Sequence, residues 1–291
     1  MKRDLVIIGP GKVGTTLAAL AARAGYRIVA MAGRSTERTR EAAAMTAQQV
    51  VIASPAEVAA LGGIVLLTVP DDAIAAVCEQ LAQARAFPPD CIVAHCSGAL
   101  SSEILAPARD LCGAHVGSLH PLQTFPDVQA GIDRFGGTYC FCEGDKPAVT
   151  ALKLLAEELG GKPVELSTTG KLLYHASAVL ASNYLIALLD AALATAGKAG
   201  IGRQDAAAAL EPLVKATLSN VQALGPAKAL TGPIARGDWQ LVAKQYRDVR
   251  TADAKLGEIY RAMGVWTIDV ALRKGTINEE KAGKLRQVLG E

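Results

Sequence analysis

The sequence predicts an α/β protein: a doubly wound parallel β-sheet flanked by helices, followed by an all-α C-terminal domain. Three observations predict this fold. A glycine-rich turn joins the first apolar run to the first helical segment, short β-branched runs alternate with helical segments as far as residue 168, and strand-like runs are absent from residue 169 onward. We therefore expect an α/β domain over residues 1–168 and a helical domain over residues 169–291.

The first strand and its turn read DLVIIGPGKVG from Asp4 to Gly14. Gly9, Gly11 and Gly14 have the G-x-G-x-x-G spacing, in which the first glycine allows a tight bend, the second admits a pyrophosphate and the third lets helix pack on strand. The helix expected over Lys12–Ala24 would aim its free N–H groups at that pyrophosphate. A purely structural glycine turn is the alternative. We predict a Rossmann-type dinucleotide-binding turn with these cofactor residues: Gly9, Gly11, Lys12, Val13 and Gly14.

Further short apolar runs predict the remaining strands of the sheet, and helical segments lie between most of them. These strands are Arg27–Ala32, Val50–Ala53, Ile64–Val69, Cys91–His95, Ala114–Leu119, Thr138–Cys142 and Pro163–Leu166. Long alanine- and leucine-rich segments predict the helices of the second domain: Lys171–Lys198, Arg203–Leu224, Asp238–Met263 and Val265–Leu289.

The composition restricts the partners. The chain has 291 residues, and 30 basic and 28 acidic residues give a net charge of +2, which provides no basic stripe for a nucleic acid. Small molecules are therefore the expected partners. The six cysteines form no C-x-x-C pair and lie in apolar segments, as reduced core thiols do, so we expect neither a disulfide framework nor a metal site.

The apolar run behind Lys2 and Arg3 covers only Leu5–Ile8, which is too short for a signal peptide. No later stretch is expected to reach the length of a membrane span. The sequence therefore predicts a cytoplasmic protein without a membrane partner.

The end of the second strand is basic. Arg34 and Ser35 follow this strand and Arg38 lies one turn further. An NAD site usually offers a carboxylate to the ribose 2′-hydroxyl at this place, whereas guanidinium and hydroxyl groups suit a 2′-phosphate. The alternative is a solvated basic helix N-terminus, which the helix dipole disfavours. The pattern predicts NADP as the cofactor, bound by Arg34, Ser35 and Arg38.

Ligands in an open α/β sheet lie across the carboxyl ends of the strands, so the later strand ends are candidate sites. Val69 and Pro70 end the fourth strand and are expected to contact the nicotinamide ribose, while Asp71 or Asp72 would cap the next helix. Ser97 follows the fifth strand and His120 ends the sixth, where each could approach the nicotinamide ring. A hydrogen-bonded structural role is the alternative for His120, and is favoured for His95.

The first helix of the second domain carries a polar stripe. Lys171, His175 and Ser182 share one face at helical spacing, with Tyr174 beside it. We expect His175 to donate a proton and Lys171 to bind a substrate carboxylate, while His120 and Ser97 orient the substrate or the cofactor carboxamide. The alternative is the solvent face of an amphipathic helix.

Six segments of the chain carry a resemblance: GPGKVG, TVPDDAI, HCSGAL, HPLQTF, YHASAVLASNYL and LTGPIARGD. They resemble bacterial Rossmann-like proteins whose helical C-terminal half is a domain of unknown function (number 2520). The resemblance implies a fold similar to that of the 6-phosphogluconate dehydrogenase, pyrroline-carboxylate reductase and ketopantoate reductase group, with NADP as cofactor.

Taken together, these patterns predict an NADPH-dependent oxidoreductase that reduces the carbonyl or imine of a small anionic metabolite. The resemblance implies a 2-keto acid such as ketopantoate as one candidate substrate. An NADPH-binding sensor without turnover is one alternative. A methyltransferase is another, although it would need a carboxylate where Arg34 stands. The alanine- and leucine-rich helices, poor in aromatic residues, predict a homodimer formed through the helical domain.

Overall fold

The fold is described from a computed structural model that covers residues 4–290. Lys2 and Arg3, which entered the signal-peptide argument, lie outside the described residues. Within residues 4–290 one sheet has the strand order β3-β2-β1-β4-β5-β6-β7-β8. The strands are β1 Asp4–Ile8, β2 Arg27–Ala32, β3 Val51–Ile52, β4 Ile64–Leu67, β5 Ile92–His95, β6 His115–Pro121, β7 Tyr139–Gly144 and β8 Lys162–Glu165.

Helices connect these strands and then continue to the end of the described chain. Those between strands are α1 Lys12–Arg23, α2 Thr36–Ala44, α3 Pro55–Ala59, α4 Asp71–Gln83, α5 Ala106–Cys112, α6 Val128–Arg134 and α7 Lys146–Glu158. The later helices are α8 Lys171–Ala181, α9 Asn183–Lys198, α10 Arg203–Leu224, α11 Pro226–Ala229, α12 Pro233–Arg236, α13 Trp239–Ala252, α14 Ala254–Lys274 and α15 Glu279–Leu289. Two short 3₁₀ helices cover Ser102–Leu105 and Thr168–Gly170.

The strand alternation of β1 separates two cores. Leu5 and Ile7 pack with α1 and α7 on one face of the sheet, and Val6 and Ile8 pack with α3, α4 and α5 on the other. Helices on both faces and a strand order that reverses at β1 are the features of a doubly wound sheet. The predicted fold class is confirmed.

The sheet is parallel except between β6 and β7, which pair antiparallel. The expectation of a parallel sheet is therefore wrong for this pair. The chain between them does not cross a face of the sheet: Leu122 N donates to Tyr139 O at 2.8 Å, so β7 starts where β6 ends. As a result, the carboxyl end of β6 lies beside the amino-terminal half of β7, with His120 opposite Phe141.

The chain forms two compact units, the first ending at Val179 and the second beginning at Leu180. Most of α8 thus belongs to the α/β unit, whereas the expected boundary precedes this helix. Lys171, the first residue of α8, is buried in the first unit. All six cysteines also lie in the first unit, as free thiols that are buried or half-buried.

The core of the second unit is formed by α12 to α15, including Ile234, Val242, Ile268 and Leu285. The predicted helix Arg203–Leu224 is confirmed. The predicted helix Lys171–Lys198 is instead two helices, α8 and α9, which meet at Ser182, where φ is −119° and ψ is −70°.

The two last predicted helices have wrong boundaries. The helix predicted over Asp238–Met263 breaks at Asp253, whose carboxylate accepts hydrogen bonds from Lys255 N and Leu256 N and so begins α14. The helix predicted to begin at Val265 is the continuation of α14, which ends at Gly275 in a left-handed conformation.

One helical segment among the described residues, Thr168–Lys198, is long and apolar enough to cross a membrane, with a mean hydropathy of 1.6. The expectation that no stretch has this length is wrong, because the alanine and leucine residues of this segment keep its mean hydropathy high over a full span. Core helices of soluble proteins can have the same length and hydropathy, so these two properties do not by themselves place the segment in a membrane.

Candidate active site

The glycine turn after β1 has the geometry that its spacing predicts. Gly9 has φ +89°, and a Cβ there would lie 2.6 Å from Val69 Cγ1. A Cβ on Gly14 would collide with Thr68 Oγ1, and Thr68 in turn donates a hydrogen bond to Gly9 O at 2.7 Å. A Cβ on Gly11 would meet no atom closer than Gly9 O at 4.0 Å. Close packing therefore requires glycine at residues 9 and 14, whereas the space in front of the Gly11 α-carbon is empty.

The N-terminus of α1 has free hydrogen-bond donors. Gly11 is the N-cap, no side chain caps the helix, and its first turn contains no acidic residue. The first N–H groups of a helix need acceptors from outside the helix and carry partial positive charge. Lys12 and Val13 begin the helix, so the five residues predicted to bind a pyrophosphate lie together and suit an anion.

The end of β2 places two arginines beside this turn. Gly33 lies against Pro10, where a Cβ would come within 3.1 Å of Pro10 Cδ. Ser35 caps α2, since its Oγ accepts a hydrogen bond from Arg38 N at 3.3 Å. Arg34 and Arg38 are exposed, and neither joins an ion pair among residues 4–290. Both guanidinium groups are thus available to a ligand anion.

The end of β4 is linked to the end of β5. Val69 lies against Gly9, and Pro70 precedes α4. The Ser97 hydroxyl donates to Asp71 Oδ2 at 2.7 Å. Neither Asp71 nor Asp72 caps α4 with its side chain, so that expectation is wrong; the Asp71 carboxylate binds the β5 loop instead.

Ser97 holds the loop that follows β5. Besides donating to Asp71, its Oγ accepts hydrogen bonds from Ala99 N at 3.2 Å and Leu100 N at 3.1 Å. A hydroxyl has one hydrogen and two lone pairs, so these contacts satisfy it. The hydroxyl of Ser97 is therefore not available to orient a substrate or a carboxamide, and the role expected for it does not fit the structure.

His95 is a structural histidine. Its Nδ1 accepts a hydrogen bond from Ser97 N at 3.1 Å, which leaves Nε2 to carry the hydrogen and donate to Ser101 O at 3.2 Å. Burial lowers the pKa of His95 to about 4, so the ring is neutral at pH 7. Both ring nitrogens are engaged, as the structural interpretation of this residue requires.

His120, Tyr174 and His175 form an aromatic cluster at the carboxyl end of β6. His120 Nδ1 is hydrogen-bonded to the Tyr174 hydroxyl at 2.7 Å, and the rings of His120 and His175 are 6.1 Å apart. Phe141 supports the cluster, with its ring centroid 4.1 Å from that of Tyr174. The antiparallel pairing of β6 with β7 supplies this aromatic wall.

The two imidazoles converge on Gly98. A Cβ at residue 98 would lie 2.6 Å from His175 Nδ1 and 2.8 Å from His120 Nε2, so both nitrogens approach one point beside this glycine. His175 Nδ1 is buried and has no hydrogen-bond partner among the described residues. A buried polar atom without a partner is uncommon and indicates a place that a ligand or water completes.

Burial determines the protonation states of His120 and Tyr174. Burial, with a further contribution from the Lys171 cation, lowers the pKa of His120 to about 4. Burial raises the pKa of Tyr174, so its phenol remains protonated. At neutral pH, His120 is therefore an uncharged imidazole bonded to a neutral phenol.

Lys171 does not have the exposed position expected for a substrate ligand. Its side chain is 3% exposed, and its Nζ donates to Glu143 Oε1 at 2.9 Å and to the Ser118 hydroxyl. A buried ammonium paired with a carboxylate has no charge to spare for a substrate carboxylate. The role predicted for Lys171 is therefore wrong, and so is the solvent-face alternative, since this stripe of α8 is its covered side.

Sequence reasoning did not identify Glu143 as a residue of this site, and it gave Tyr174 no role beyond a place beside the polar stripe. Glu143 had a detectable signal, because it is the only charged residue in β7, whose sequence is YCFCEG. The proximity of Gly98 to two histidines had none, since it depends on three separate elements. Among residues 4–290 no group of three or more histidine, cysteine, aspartate or glutamate side chains could hold a metal ion.

Two family models match the chain. Residues 2–121 match the Rossmann-like domain, and residues 138–267 match the domain of unknown function DUF2520. The chain thus carries a Rossmann-like domain followed by a DUF2520 domain. This confirms the family resemblance found in its sequence motifs.

Solved structures share the fold over almost the whole chain. Protein TM1727 from Thermotoga maritima is 25% identical with a TM-score of 0.73, covering 93% of this chain and 99% of that one. BF3122 from Bacteroides fragilis, provisionally named an NADP oxidoreductase, is 23% identical with a TM-score of 0.69, covering 89% and 95%. A reductive aminase from Aspergillus terreus in complex with NADPH and ethyl-5-oxohexanoate is 17% identical with a TM-score of 0.65, covering 98% of each chain. No curated protein matches the sequence.

Proposed function

We propose that this protein is an NADPH-dependent oxidoreductase that reduces the carbonyl or imine of a small metabolite. One observation carries the proposal: His175 Nδ1, buried and without a partner among the described residues, meets His120 beside Gly98 at the sheet edge that also holds the glycine turn. Ligands of doubly wound sheets bind at this edge. The name of BF3122 and the NADPH bound to the A. terreus aminase support the choice of cofactor.

The residues around the glycine turn fit NADPH. Gly9, Gly11, Lys12, Val13 and Gly14 would hold the pyrophosphate at the uncapped end of α1, because the open side of Gly11 leaves space for it. Arg34, Ser35 and Arg38 would hold the 2′-phosphate, and Val69 and Pro70 would border the nicotinamide ribose. When bound, NADPH supplies the hydride.

The chain itself must orient the substrate and supply a proton. His175 is the proposed proton donor to the oxyanion or amine that forms, because its Nδ1 is not used in the fold. His120, held by Tyr174, would orient the same substrate atom as a neutral hydrogen-bonding group. Lys171 and Ser97 have no direct contact with the substrate in this proposal, because both side chains are engaged within the protein. Without a lysine to bind a substrate carboxylate, the proposal no longer requires an anionic substrate such as ketopantoate.

The test is turnover by the purified protein. The protein with NADPH would be supplied in turn with small 2-keto acids, neutral ketones and cyclic imines, and the loss of NADPH absorbance followed. We expect turnover with at least one carbonyl or imine class, and its loss in His175→Gln. NADPH binding at micromolar concentration without turnover on any of these classes would favour the sensor alternative.

We also infer a cytoplasmic homodimer. The helices of the second unit line an apolar groove of about 640 Å³, and Leu188, Leu213 and Met263 in it are 40%, 61% and 45% exposed. Exposed apolar patches of this kind mark interaction sites, and a two-fold dimer is the commonest way to cover them. Six free thiols in the first unit suit a reducing compartment.

A further inference from the structure

Glu143 is a buried carboxylate whose hydrogen-bonding capacity is filled. The residue is 2% exposed. Its Oε1 accepts from Ser102 N at 2.8 Å, Ser118 Oγ at 2.7 Å and Lys171 Nζ at 2.9 Å. Its Oε2 accepts from Ser102 Oγ at 2.7 Å and Thr168 Oγ1 at 3.1 Å. Such a network is stable only when every member is satisfied, and it then fixes the positions of its members.

These contacts connect separate parts of the first unit. Glu143 lies on β7, Ser118 on β6, Ser102 in the 3₁₀ helix after β5, and Thr168 in the 3₁₀ helix before α8. Lys171 is the first residue of α8. The carboxylate therefore ties the start of α8 to the strand that carries His120 and to the segment that follows Gly98.

The residues of α8 that reach the histidine cluster lie on the same side as Lys171. Tyr174 and His175 follow Lys171 at the i+3 and i+4 positions, which share one face of a helix. The rotation of α8 about its axis that seats Lys171 on Glu143 also directs Tyr174 to His120 and His175 to Gly98. Leu172 and Leu173, on the other side of the first turn, are 68% and 78% exposed and do not fix this rotation.

We propose that Glu143 is a positioning residue of the site: by holding Lys171, it sets the rotation of α8 so that Tyr174 binds His120 and His175 Nδ1 remains beside Gly98. This inference rests on the proposed function for its catalytic meaning. Its geometric content stands on its own, because it concerns contacts within the first unit.

The test uses full-length protein with ¹⁵N-labelled histidine, and the ring ¹⁵N signals are assigned with single histidine variants. Ring nitrogen signals report tautomer and hydrogen bonding directly. In Glu143→Gln we expect the His120 and His175 signals to move while the His115 signal stays. With a substrate in hand, kcat should fall about tenfold or more at unchanged NADPH affinity, because misplacing a reacting group weakens catalysis. Glu143→Asp should restore part of the parent protein's histidine signals and part of its kcat.

Glu165→Gln is the matched control. Glu165 lies on the adjacent strand β8 and pairs with Lys153 at 3.3 Å, but on the surface. This variant should leave every histidine signal and the turnover unchanged. If Glu143→Gln does not fold, the neutral double variant Glu143→Gln/Lys171→Met removes both buried charges and should still move the His120 and His175 signals.

The two proposals fail in different ways. Unchanged His120 and His175 signals in a folded Glu143→Gln or double variant overturn the positioning role, whatever the turnover. Moved signals support it even if the parent protein reduces nothing, and in that case the proposed function alone is overturned.

Discussion

The histidines at the ends of β5 and β6 look alike in sequence but differ in their hydrogen bonds. His95 uses both ring nitrogens inside the fold, whereas His120 presents Nε2 to Gly98 and His175 has a buried Nδ1 without a described partner. A proton donor needs a ring nitrogen that the fold does not use. This difference supports His175 and His120, rather than His95, as the proposed site residues.

His175→Gln should lower turnover roughly a hundredfold or more, because glutamine can hydrogen-bond but cannot deliver a proton. NADPH affinity, measured by fluorescence titration, should change little. His120→Gln is the comparison, and it should have the smaller effect on kcat if it only orients the substrate. Full activity of His175→Gln on a substrate of the parent protein would move the proton donor to His120.

Arg34 should determine the choice of cofactor. A 2′-phosphate bound by Arg34 and Arg38 gains charge-assisted hydrogen bonds, each worth roughly 1.5 to 3 kcal/mol. NADPH should therefore bind at least about tenfold tighter than NADH, because a tenfold difference in affinity corresponds to only about 1.4 kcal/mol. Arg34→Ala should weaken the binding of NADPH and leave the binding of NADH almost unchanged. Added salt should also weaken NADPH binding more than NADH binding, because it screens the ionic contact with the 2′-phosphate. Equal dissociation constants for the two cofactors in the parent protein would contradict this assignment.

The buried neutral histidines should make the first unit sensitive to acid. His95 and His120 have a pKa of about 4 when folded, against an ordinary value of 6.5. Between these values the unfolded chain binds protons that the folded unit does not, so stability falls as the pH is lowered from about 6.5 towards 4. Thermal unfolding followed by circular dichroism should show this loss. In His120→Gln the slope should be smaller, and a flat profile in the parent protein would rule out two buried neutral rings.

Some residues of the candidate site can be located from the sequence, whereas the surroundings of Lys171 cannot. Gly9, Gly11, Gly14 and Arg34 could be placed because strand order alone brings their positions together. Lys171 could not, because its partner Glu143 lies 28 residues away in sequence and only the folded sheet brings the two together. The helical spacing of residues does not distinguish a buried lysine from an exposed one.

At the scale of elements, the three glycines of the turn should respond differently to a methyl group. Gly9→Ala should destabilise the first unit, because alanine at φ +89° is strained and its Cβ would meet Val69. Gly11→Ala should leave the fold intact, because its Cβ meets nothing closer than 4.0 Å, yet it should weaken NADPH binding by occupying the space of the pyrophosphate. The melting temperature and the NADPH dissociation constant separate the two effects.

Equal losses of melting temperature in Gly9→Ala and Gly11→Ala would show that Gly11 is a packing residue. Unchanged NADPH affinity in Gly11→Ala would show that the pyrophosphate does not lie beside it. Either result would return the turn to the purely structural interpretation.

Most strands and the first helices could be predicted, because apolar runs with flanking glycines have a clear period. Two features could not. The antiparallel β7 has the same composition as a parallel strand, and its direction depends on the path of residues 122–138. The breaks at Ser182 and Asp253 depend on single backbone and capping geometries within otherwise helical sequence.

At the scale of the whole molecule, the second unit should associate as a homodimer. Light scattering at micromolar protein should give twice the monomer mass, because a second copy would bury the apolar groove between α9, α10 and α14. Leu213→Glu, which places a charge in the groove, should shift the protein towards monomer. Glu211→Gln, two residues earlier in α10 at an exposed ion pair, is the control and should leave the mass unchanged. A strictly monomeric parent protein would refute the dimer.

The distribution of cysteine gives the molecule a built-in reporter. Burial raises the pKa of Cys78 to about 11 and the pKa values of Cys91, Cys96, Cys140 and Cys142 to about 12. Their thiolates, the species that reacts with labelling reagents, are therefore scarce and shielded in the native state. Because the second unit contains no cysteine, the rate at which a thiol reagent labels these residues measures the opening of the first unit alone. The two tryptophans, Trp239 and Trp266, lie in the second unit, so their fluorescence follows the helices independently.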